Sequence, residues 1–447
     1  MRRQDQLSLT RSPIEHTHAA ELGKIGEIIS SNPRIAHLIT QDLLRGVAHP
    51  HTGARGLSGE QVLRVLLIKQ MNHFSYDELA FHLADSTTYQ SFCGLGALEP
   101  TPSRSTLAEN LKKVHAKTLE KINRRVIRHA MALGVEQGRK VRIDATVTET
   151  NIHAPTDSTI LCDGVRVLSR LLKKAQRWCG FTEWQNHTKR AKRRTLAIQH
   201  TVAEALRLQA YVDLLKVTHA SASYAAAALK ALRATRGKRR AAARDLADQI
   251  DAVLSLVWGA IDQTERRVLR AESVPAEQKI TSVFEPHTDI IIKDRRETLY
   301  GHKLFLSAGE SGLITDCVIG QGNPADSTMA VPMLRRQLRI LGRTPEQAAL
   351  DGGFASKENL TEGKALGITD LAFSKKRGLA ISDMTRSTWI YRCLRNFRAG
   401  IEGLISFLKR AFGLDRCNWR GEQSFASYVM SSVIAANLLT LARHLLG

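Results

Sequence analysis

A mixed α/β core, preceded by an all-α N-terminal segment and interrupted by a long all-α insertion, is the architecture the sequence predicts. Three observations carry this expectation. Apolar residues recur at helical spacing through much of residues 1–135. Short β-type alternations, bounded by glycine and proline, appear at 141–147 and return only after residue 300. The stretch between, 157–275, is rich in Ala, Leu and Arg and has almost no strand pattern.

In the N-terminal segment, Ser58 is placed to cap an apolar-periodic run through Val62, Leu63, Val65, Leu66 and Ile68. Ser75-Tyr76-Asp77-Glu78 has the capping-box spacing that opens a second helix. A third helix is expected after Pro102-Ser103-Arg104-Ser105-Thr106, carrying Lys112, Lys113, Lys121, Arg124, Arg125 and Arg128. Short helices with a basic last member suit a helix-turn-helix-like DNA-binding domain over 1–135, and equally a helical adaptor with a solvated basic face.

The pattern changes at residue 138. Val141-Arg142-Ile143-Asp144-Ala145-Thr146-Val147 alternates as a strand and gives way to a loop around Pro155. The helical insertion, 157–275, holds two basic clusters, Lys189–Arg194 and Arg236–Arg240, and ends at Pro275. Gly301–Leu306 and Leu313–Val318 flank Gly309-Glu310-Ser311-Gly312 as a hairpin. Asp326 is placed to cap a helix running to about Leu341. Gln347–Asp351 is an apolar strand stopped by Gly352-Gly353, and Ile368–Phe373 is another. A long helix containing Glu402 follows, then an apolar helix over 424–446. With the insertion removed, the order of elements over 138–447 is compatible with an RNase H-like core, among other α/β folds.

Composition narrows the partners. In 447 residues, 65 Lys and Arg face 43 Asp and Glu, a net charge of +22, and 43% hydrophobic residues suffice for a packed core. Such an excess favours a polyanion, nucleic acid before an anionic membrane surface. No run of about 20 consecutive apolar residues stands out as a bilayer span. The charged start Met1-Arg2-Arg3-Gln4-Asp5 has no apolar run behind it and so no signal-peptide pattern. Cys93, Cys162, Cys179, Cys317, Cys393 and Cys417 are scattered without a CxxC pair, as expected of reduced thiols in the cytoplasm.

Phosphodiester cleavage and strand transfer often use two divalent ions about 4 Å apart. Mg²⁺ and Mn²⁺ take oxygen ligands, so carboxylates must converge. Asp144 and Asp351 each stand at the end of an apolar strand, and the two glycines after Asp351 permit close backbone approach. Glu402 shares a helix face with Arg395, Arg398 and Lys409, while Ile401, Leu404, Ile405 and Leu408 face the other way and can dock on the sheet. Taken singly, a strand-end Asp is most often a turn residue, and Arg398 with Glu402 reads as readily as a surface ion pair.

Three motifs together resemble the bacterial insertion-sequence transposases of the DDE class, with the ISNCY-type group nearest. They are Asp144-Ala145-Thr146-Val147-Thr148-Glu149-Thr150-Asn151-Ile152-His153, Asp351-Gly352-Gly353-Phe354, and the Arg398-x3-Glu402-x6-Lys409 helix. Leu57–Leu95 resembles the InsH-like N-terminal domain of such enzymes. The resemblance implies an RNase H-like catalytic domain over 138–447, with Asp144, Asp351 and Glu402 as the catalytic and metal-binding triad holding two Mg²⁺ or Mn²⁺ ions. It implies hydrolysis at a transposon end to leave a 3′-OH, which then attacks target DNA. Related members carry Tyr-x2-Arg-x3-Glu-x6-Lys on the helix, and here Arg395 stands at the Tyr position. The gap from 144 to 351 is far longer than that from 351 to 402, and the insertion accounts for it.

Arg395, Arg398, Lys409 and the loop residues Lys375, Lys376 and Arg377 are candidate DNA contacts. Glu149, Asp157 and Asp163 are candidate hydrogen-bonding supports for the first aspartate, and Asp370 is an alternative ligand. Asn151 and His153 could shape the loop beside the site or touch DNA. Trp178, Trp184, Trp389 and Trp419 read as core residues. The expected partners are terminal inverted repeats and target duplex, bound by a homodimer or larger synaptic complex at the bacterial nucleoid. The rival reading is a catalytically inactive or repurposed DNA-binding relative, which needs no intact carboxylates.

Overall fold

The computed structural model describes residues 15–49, 52, 56–96, 100–293 and 297–447. The N-terminal Met1–Asp5 stretch, read above as lacking a signal peptide, lies outside them. The chain divides into two compact units, 1–148 with 303–447, and 149–302.

The first unit opens with helices α1 (Thr17–Ser30), α2 (Pro33–Leu44), α3 (Gly59–Asn72), α4 (Tyr76–Asp85) and α5 (Thr87–Cys93). Ser58 caps α3 and Ser75 caps α4, each in a reciprocal capping box, with Gln61 and Glu78 as the answering side chains. The single basic helix expected after Ser103 is two, α6 (Arg104–Lys112) and α7 (Ala116–Ala132). The break falls at His115, whose backbone N–H donates to the Asp42 carboxylate at 2.9 Å in place of a helical carbonyl.

The strands are β1 (Lys140–Glu149), β2 (Asp289–Lys293), β3 (Glu297–Ala308), β4 (Ile314–Ile319), β5 (Gln347–Leu350) and β6 (Asp370–Phe373). Within the first unit they lie in the order β4-β3-β1-β5-β6. β4 is antiparallel to β3, and β5 is parallel to both β1 and β6. The expected hairpin is therefore present, and so are both later strands.

Helix α12 (Asp326–Leu341) begins at Asp326, but that residue is not its cap: Ala325 precedes the helix and gives no side-chain hydrogen bond. The Asp326 carboxylate instead meets Lys303 Nζ at 3.1 Å. Helices α13 (Lys357–Ala365), α14 (Ile381–Met384), α15 (Thr388–Phe412) and α16 (Glu422–Leu446) complete the unit.

Apolar residues of α1, α3 and α7 share one cluster with β3, β4, the C-terminal half of α15 and α16. The helices expected as a separate domain over 1–135 thus contribute to the same core as the sheet. Helix α16 also revises the membrane reading, because by length and hydropathy it could span a bilayer. It is a core helix instead, with 89% of its most apolar window buried. Its buried polar residues, Ser427, Ser431, Ser432 and Asn437, are hydrogen-bonded. Asn437 Oδ1 accepts from Ile314 N at 2.8 Å, while its Nδ2 donates to Ile314 O at 2.8 Å and to Asn123 Oδ1 at 2.7 Å.

The second unit is built on α8 (Asp157–Cys179), α9 (Thr188–His200), α10 (Glu204–Ala234) and α11 (Arg240–Thr264), with a core of its own. The all-α insertion expected over 157–275 falls wholly inside it. Beyond the insertion the unit also contains β2, which pairs antiparallel with the first half of β3. Asp157 and Asp163, candidates to support Asp144, are engaged within this unit. Asp157 accepts from Gln263 and Arg267, and Asp163 pairs with Arg166. Trp178 and Trp389 are exposed and so are not core residues.

Replacing Asn437 with Leu strands the Ile314 amide and Asn123 in the interior. Unmet buried groups cost about 1–3 kcal/mol each, so Asn437→Leu is expected to lower unfolding free energy by about 2–4 kcal/mol. Denaturant titration checks this, and a loss below about 0.5 kcal/mol, the scale of a neutral surface change, contradicts it.

Candidate active site

Strands β1 and β5 run parallel, with Ile143 opposite Leu350 as the last pair. Asp144 and Asp351 are the next residue on each strand, so the register sets them at the same level. One sequence expectation needs correcting here: Asp144 lies inside β1, which continues to Glu149. What ends beside it is the ladder with β5.

Arg142 lies two residues before Asp144, on the same face of the strand. It is nearly buried, and its Nη1 donates to the Phe397 carbonyl of α15 at 3.0 Å while its guanidinium lies over the Phe397 ring. The helix can come this close because residue 400 is glycine; a Cβ there would lie 2.2 Å from Arg142 Nη1. Tyr391, one turn into α15, donates its hydroxyl to the Phe373 carbonyl at the end of β6, at 3.0 Å. Tyr391, Leu394 and Phe397 pack with the β5–β6 side of the sheet, whereas Ile401 and Leu408 belong to the cluster with α3 and α16. The face of α15 turned to the sheet thus takes in its N-terminal residues as well as Ile401 and Leu408, which share a cluster with β3 and β4.

These contacts deliver Arg398 to the two strand carboxylates. Its Nη2 lies 2.8 Å from Asp144 Oδ2 and 2.9 Å from Asp351 Oδ1, and its Nη1 lies 2.8 Å from Glu402 Oε1. The structure therefore brings Asp144, Asp351, Glu402 and Arg398 together. The two aspartates are partly or largely buried, whereas the Glu402 side chain is 64% exposed and has Arg398 as its ion-pair partner.

Burial pushes the Asp144 carboxyl up to about 6, against the pull of Arg398 and of the Ala145 N–H. Asp351 is held below the usual carboxylate range. Burial opposes that shift, but a hydrogen bond from Ser374 Oγ at 2.9 Å, the Arg398 charge and the Gly352 and Gly353 amides outweigh it. Sequence reasoning missed Ser374 and Arg142. An arginine two residues before a strand aspartate was the available signal for the second.

Both glycines after Asp351 are there for space. A Cβ on Gly352 would lie 2.6 Å from the Lys375 Cβ, and one on Gly353 would lie 2.5 Å from Asp326 Oδ2. Lys375 therefore sits beside the site, and Lys375, Lys376 and Arg377 are all exposed in the loop after β6. Arg395 is exposed one turn before the cluster. Lys409 does not join it, since its ammonium pairs with Asp415 at 3.2 Å. Asp370 is not an alternative ligand: it opens β6 opposite Gln347, at the far end of the strand from Asp351, and is held by Arg386 and Gln347.

The donor set suits a hard divalent cation. Three carboxylates converge on one positive charge, and the Nε of that arginine is buried without a hydrogen-bond partner. Among the described residues no three His, Cys, Asp or Glu side chains already stand in ligating geometry. Arg398 occupies the space between the carboxylates.

Comparison with known families matches residues 260–438 to the Transposase DDE domain and residues 17–113 to the Transposase domain (DUF772). The first span includes Asp351 and Glu402, while Asp144 lies outside both. No curated protein and no solved structure matches the chain. A transposase DDE domain marks the class as a DNA-cleaving and strand-transferring enzyme. The chain belongs to the insertion-sequence DDE transposases, which act on DNA with divalent metal ions, typically Mg²⁺.

An acid whose folded pKa lies above its unfolded value binds more protons folded than unfolded. Stability from Asp144 is therefore fullest below pH of about 4 and falls as pH rises through about 6. Asp144→Asn is expected to be more stable than the natural protein at pH 8 in metal-free buffer, by on the order of 1–2 kcal/mol. The gap should close toward pH 4. Chemical denaturation at several pH values checks this, and a pH-independent difference contradicts it.

Proposed function

We propose that Asp144, Asp351 and Glu402 are the catalytic triad of this transposase and hold two Mg²⁺ or Mn²⁺ ions. The observation that carries the proposal is the contact of all three carboxylates with the single Arg398 guanidinium. The mixed sheet supports an RNase H-like reading of the catalytic domain. Asp144 is on the first strand, Asp351 follows β5 (the fourth strand of the first unit in chain order), and Glu402 is on a later helix.

When bound, the divalent ions would activate the attacking oxygen and neutralise charge on the scissile phosphate. The side chains divide the remaining work. Asp351, fixed by Ser374 and the Gly353 N–H, stays ionised and oriented. Asp144 ionises near neutral pH and keeps its partner Arg398 close. Glu402, exposed beside them, can reorient at little cost as substrate enters.

Water attacks the phosphorus at the transposon end, the bond to the 3′ oxygen breaks, and that oxygen leaves as a 3′-OH. In the second step the 3′-OH attacks a target phosphodiester, a new P–O bond forms, and the target 3′ oxygen leaves and takes up a proton. Arg395, Lys375, Lys376 and Arg377 would grip backbone phosphates beside the triad, with Arg398 available once its carboxylates are otherwise neutralised. Lys409 would grip a phosphate only after leaving Asp415.

The N-terminal helices over 1–135 would recognise the terminal inverted repeat, in line with the DUF772 match and the capped helices α3 and α4. The two ends would be joined in a homodimeric or larger synaptic complex at the bacterial nucleoid. The ISNCY-type grouping stays with the proposal. Nothing favours a catalytically inactive relative.

Asp144→Asn, Asp351→Asn and Glu402→Gln are each expected to abolish Mg²⁺-dependent cleavage of a DNA fragment carrying the element's terminus, with fragment binding preserved. Gel analysis of end-labelled DNA checks this. A variant that cleaves at the natural rate removes that residue from the triad.

A further inference from the structure

The positive charge of the chain is concentrated in one stretch. Between Arg166 and Arg244, nineteen Lys and Arg face three Asp and Glu, a net +16 of the chain's +22. From Asp245 to His302 the balance reverses, with seven basic against eleven acidic residues. All nineteen cations are exposed. Only Arg166, Arg190, Arg194 and Arg233 form ion pairs with described residues, to Asp163, Asp213, Asp213 and Asp251.

Helix α8 concentrates this pattern. Most of its surface is buried in the core of the second unit, through Leu161, Val165, Leu168, Leu172 and Ala175 among others. The solvent-facing stripe beyond its first two turns carries Arg166, Arg170, Lys173, Lys174 and Arg177, all exposed, ending at exposed Trp178. At 1.5 Å per residue the five cations extend about 16 Å.

Arg166 and Arg170, Arg170 and Lys174, and Lys173 and Arg177 are like charges four residues apart, each disfavouring the helix by about 0.2–0.5 kcal/mol. Among the described residues only Arg166 has an acidic partner to offset this.

We infer that the exposed stripe of α8 is a second DNA-binding surface, built from residues other than the triad, that holds duplex by its phosphate backbone. Its chemistry fits a duplex better than a membrane. Over about 16 Å a duplex presents about ten phosphates at one per ~1.7 Å. A surface-lying membrane helix would need a free apolar face, and that face of α8 is committed to the core. Flexible cations without base-edge donors in fixed geometry grip phosphates irrespective of sequence. The inference rests on the DNA-acting reading of the family and not on the triad.

The test uses the full-length protein and a fluorescent duplex of arbitrary sequence. Binding is followed by anisotropy at several salt concentrations, for the natural protein and for the quadruple variant Arg170→Gln, Lys173→Gln, Lys174→Gln, Arg177→Gln. Each lost phosphate contact lowers the slope of log affinity against log salt by about 0.9, so a fall of about 2–4 is expected, with affinity at least about tenfold weaker near 100 mM salt. The double variant Arg170→Lys, Arg177→Lys should keep the natural slope. Thermal unfolding of the quadruple variant should match the natural protein, since the replaced side chains are exposed.

A quadruple variant with the natural slope overturns the inference. So does loss of binding to mixed phosphatidylcholine and phosphatidylserine vesicles with DNA binding intact, which would assign the stripe to membranes. All binding is measured in metal-free buffer on a duplex that need not be cut, so an error in the triad and an error here give different results.

Discussion

The catalytic half of the molecule depends on where one guanidinium can go. Arg398 meets Asp144 and Asp351 from a helix, α15, that is pinned at two points, by Arg142 on the Phe397 carbonyl and by Tyr391 on the Phe373 carbonyl, and it meets Glu402 within that helix. Without that guanidinium the two strand carboxylates, partly or largely buried, would face one another without a counterion. That arrangement is costly, because like charges disfavour one another and burial disfavours each. Gly400 and the two glycines after Asp351 are parts of the same constraint, each replacing a side chain where another group must pass. The site thus stores unfavourable charge and relies on a cation to hold it.

A second constraint shapes the rest of the first unit. Helix α16 is apolar enough for a membrane yet is enclosed by protein, and its hydrogen bonds set its rotation. Asn437 clamps the start of β4 and touches α7 through Asn123. Ser432 shares the Phe412 carbonyl with Gln70 of α3, which ties the end of α15 to the N-terminal helices. The family matches at 17–113 and 260–438 therefore contribute to a single apolar core.

Much of this was legible in the residues. Capping boxes, the hairpin at Gly309–Gly312 and the two short strands after it are local features, decided by a few neighbouring side chains. Asp144 and Asp351 could be paired because the apolar run before each and the glycines after Asp351 are local as well. What escaped was set by distant contacts. The break between α6 and α7 depends on Asp42, the true partner of Asp326 is Lys303, and Arg142 looks like any arginine until α15 lies over it. Asp370 resembled a ligand because a sequence does not say which end of a strand faces the site.

The position of α16 has a consequence in time. Helices α1, α3 and α7 are synthesised well before it, yet their apolar faces are completed by it. At ~5–20 residues per second, the wait between the end of α7 and the start of α16 is on the order of tens of seconds. Through that interval the growing chain exposes greasy surface, and the proposed triad cannot assemble because α15 is also still to come. With Glu402 as its third member, the proposed site lets no DNA be cut until α15 has been made.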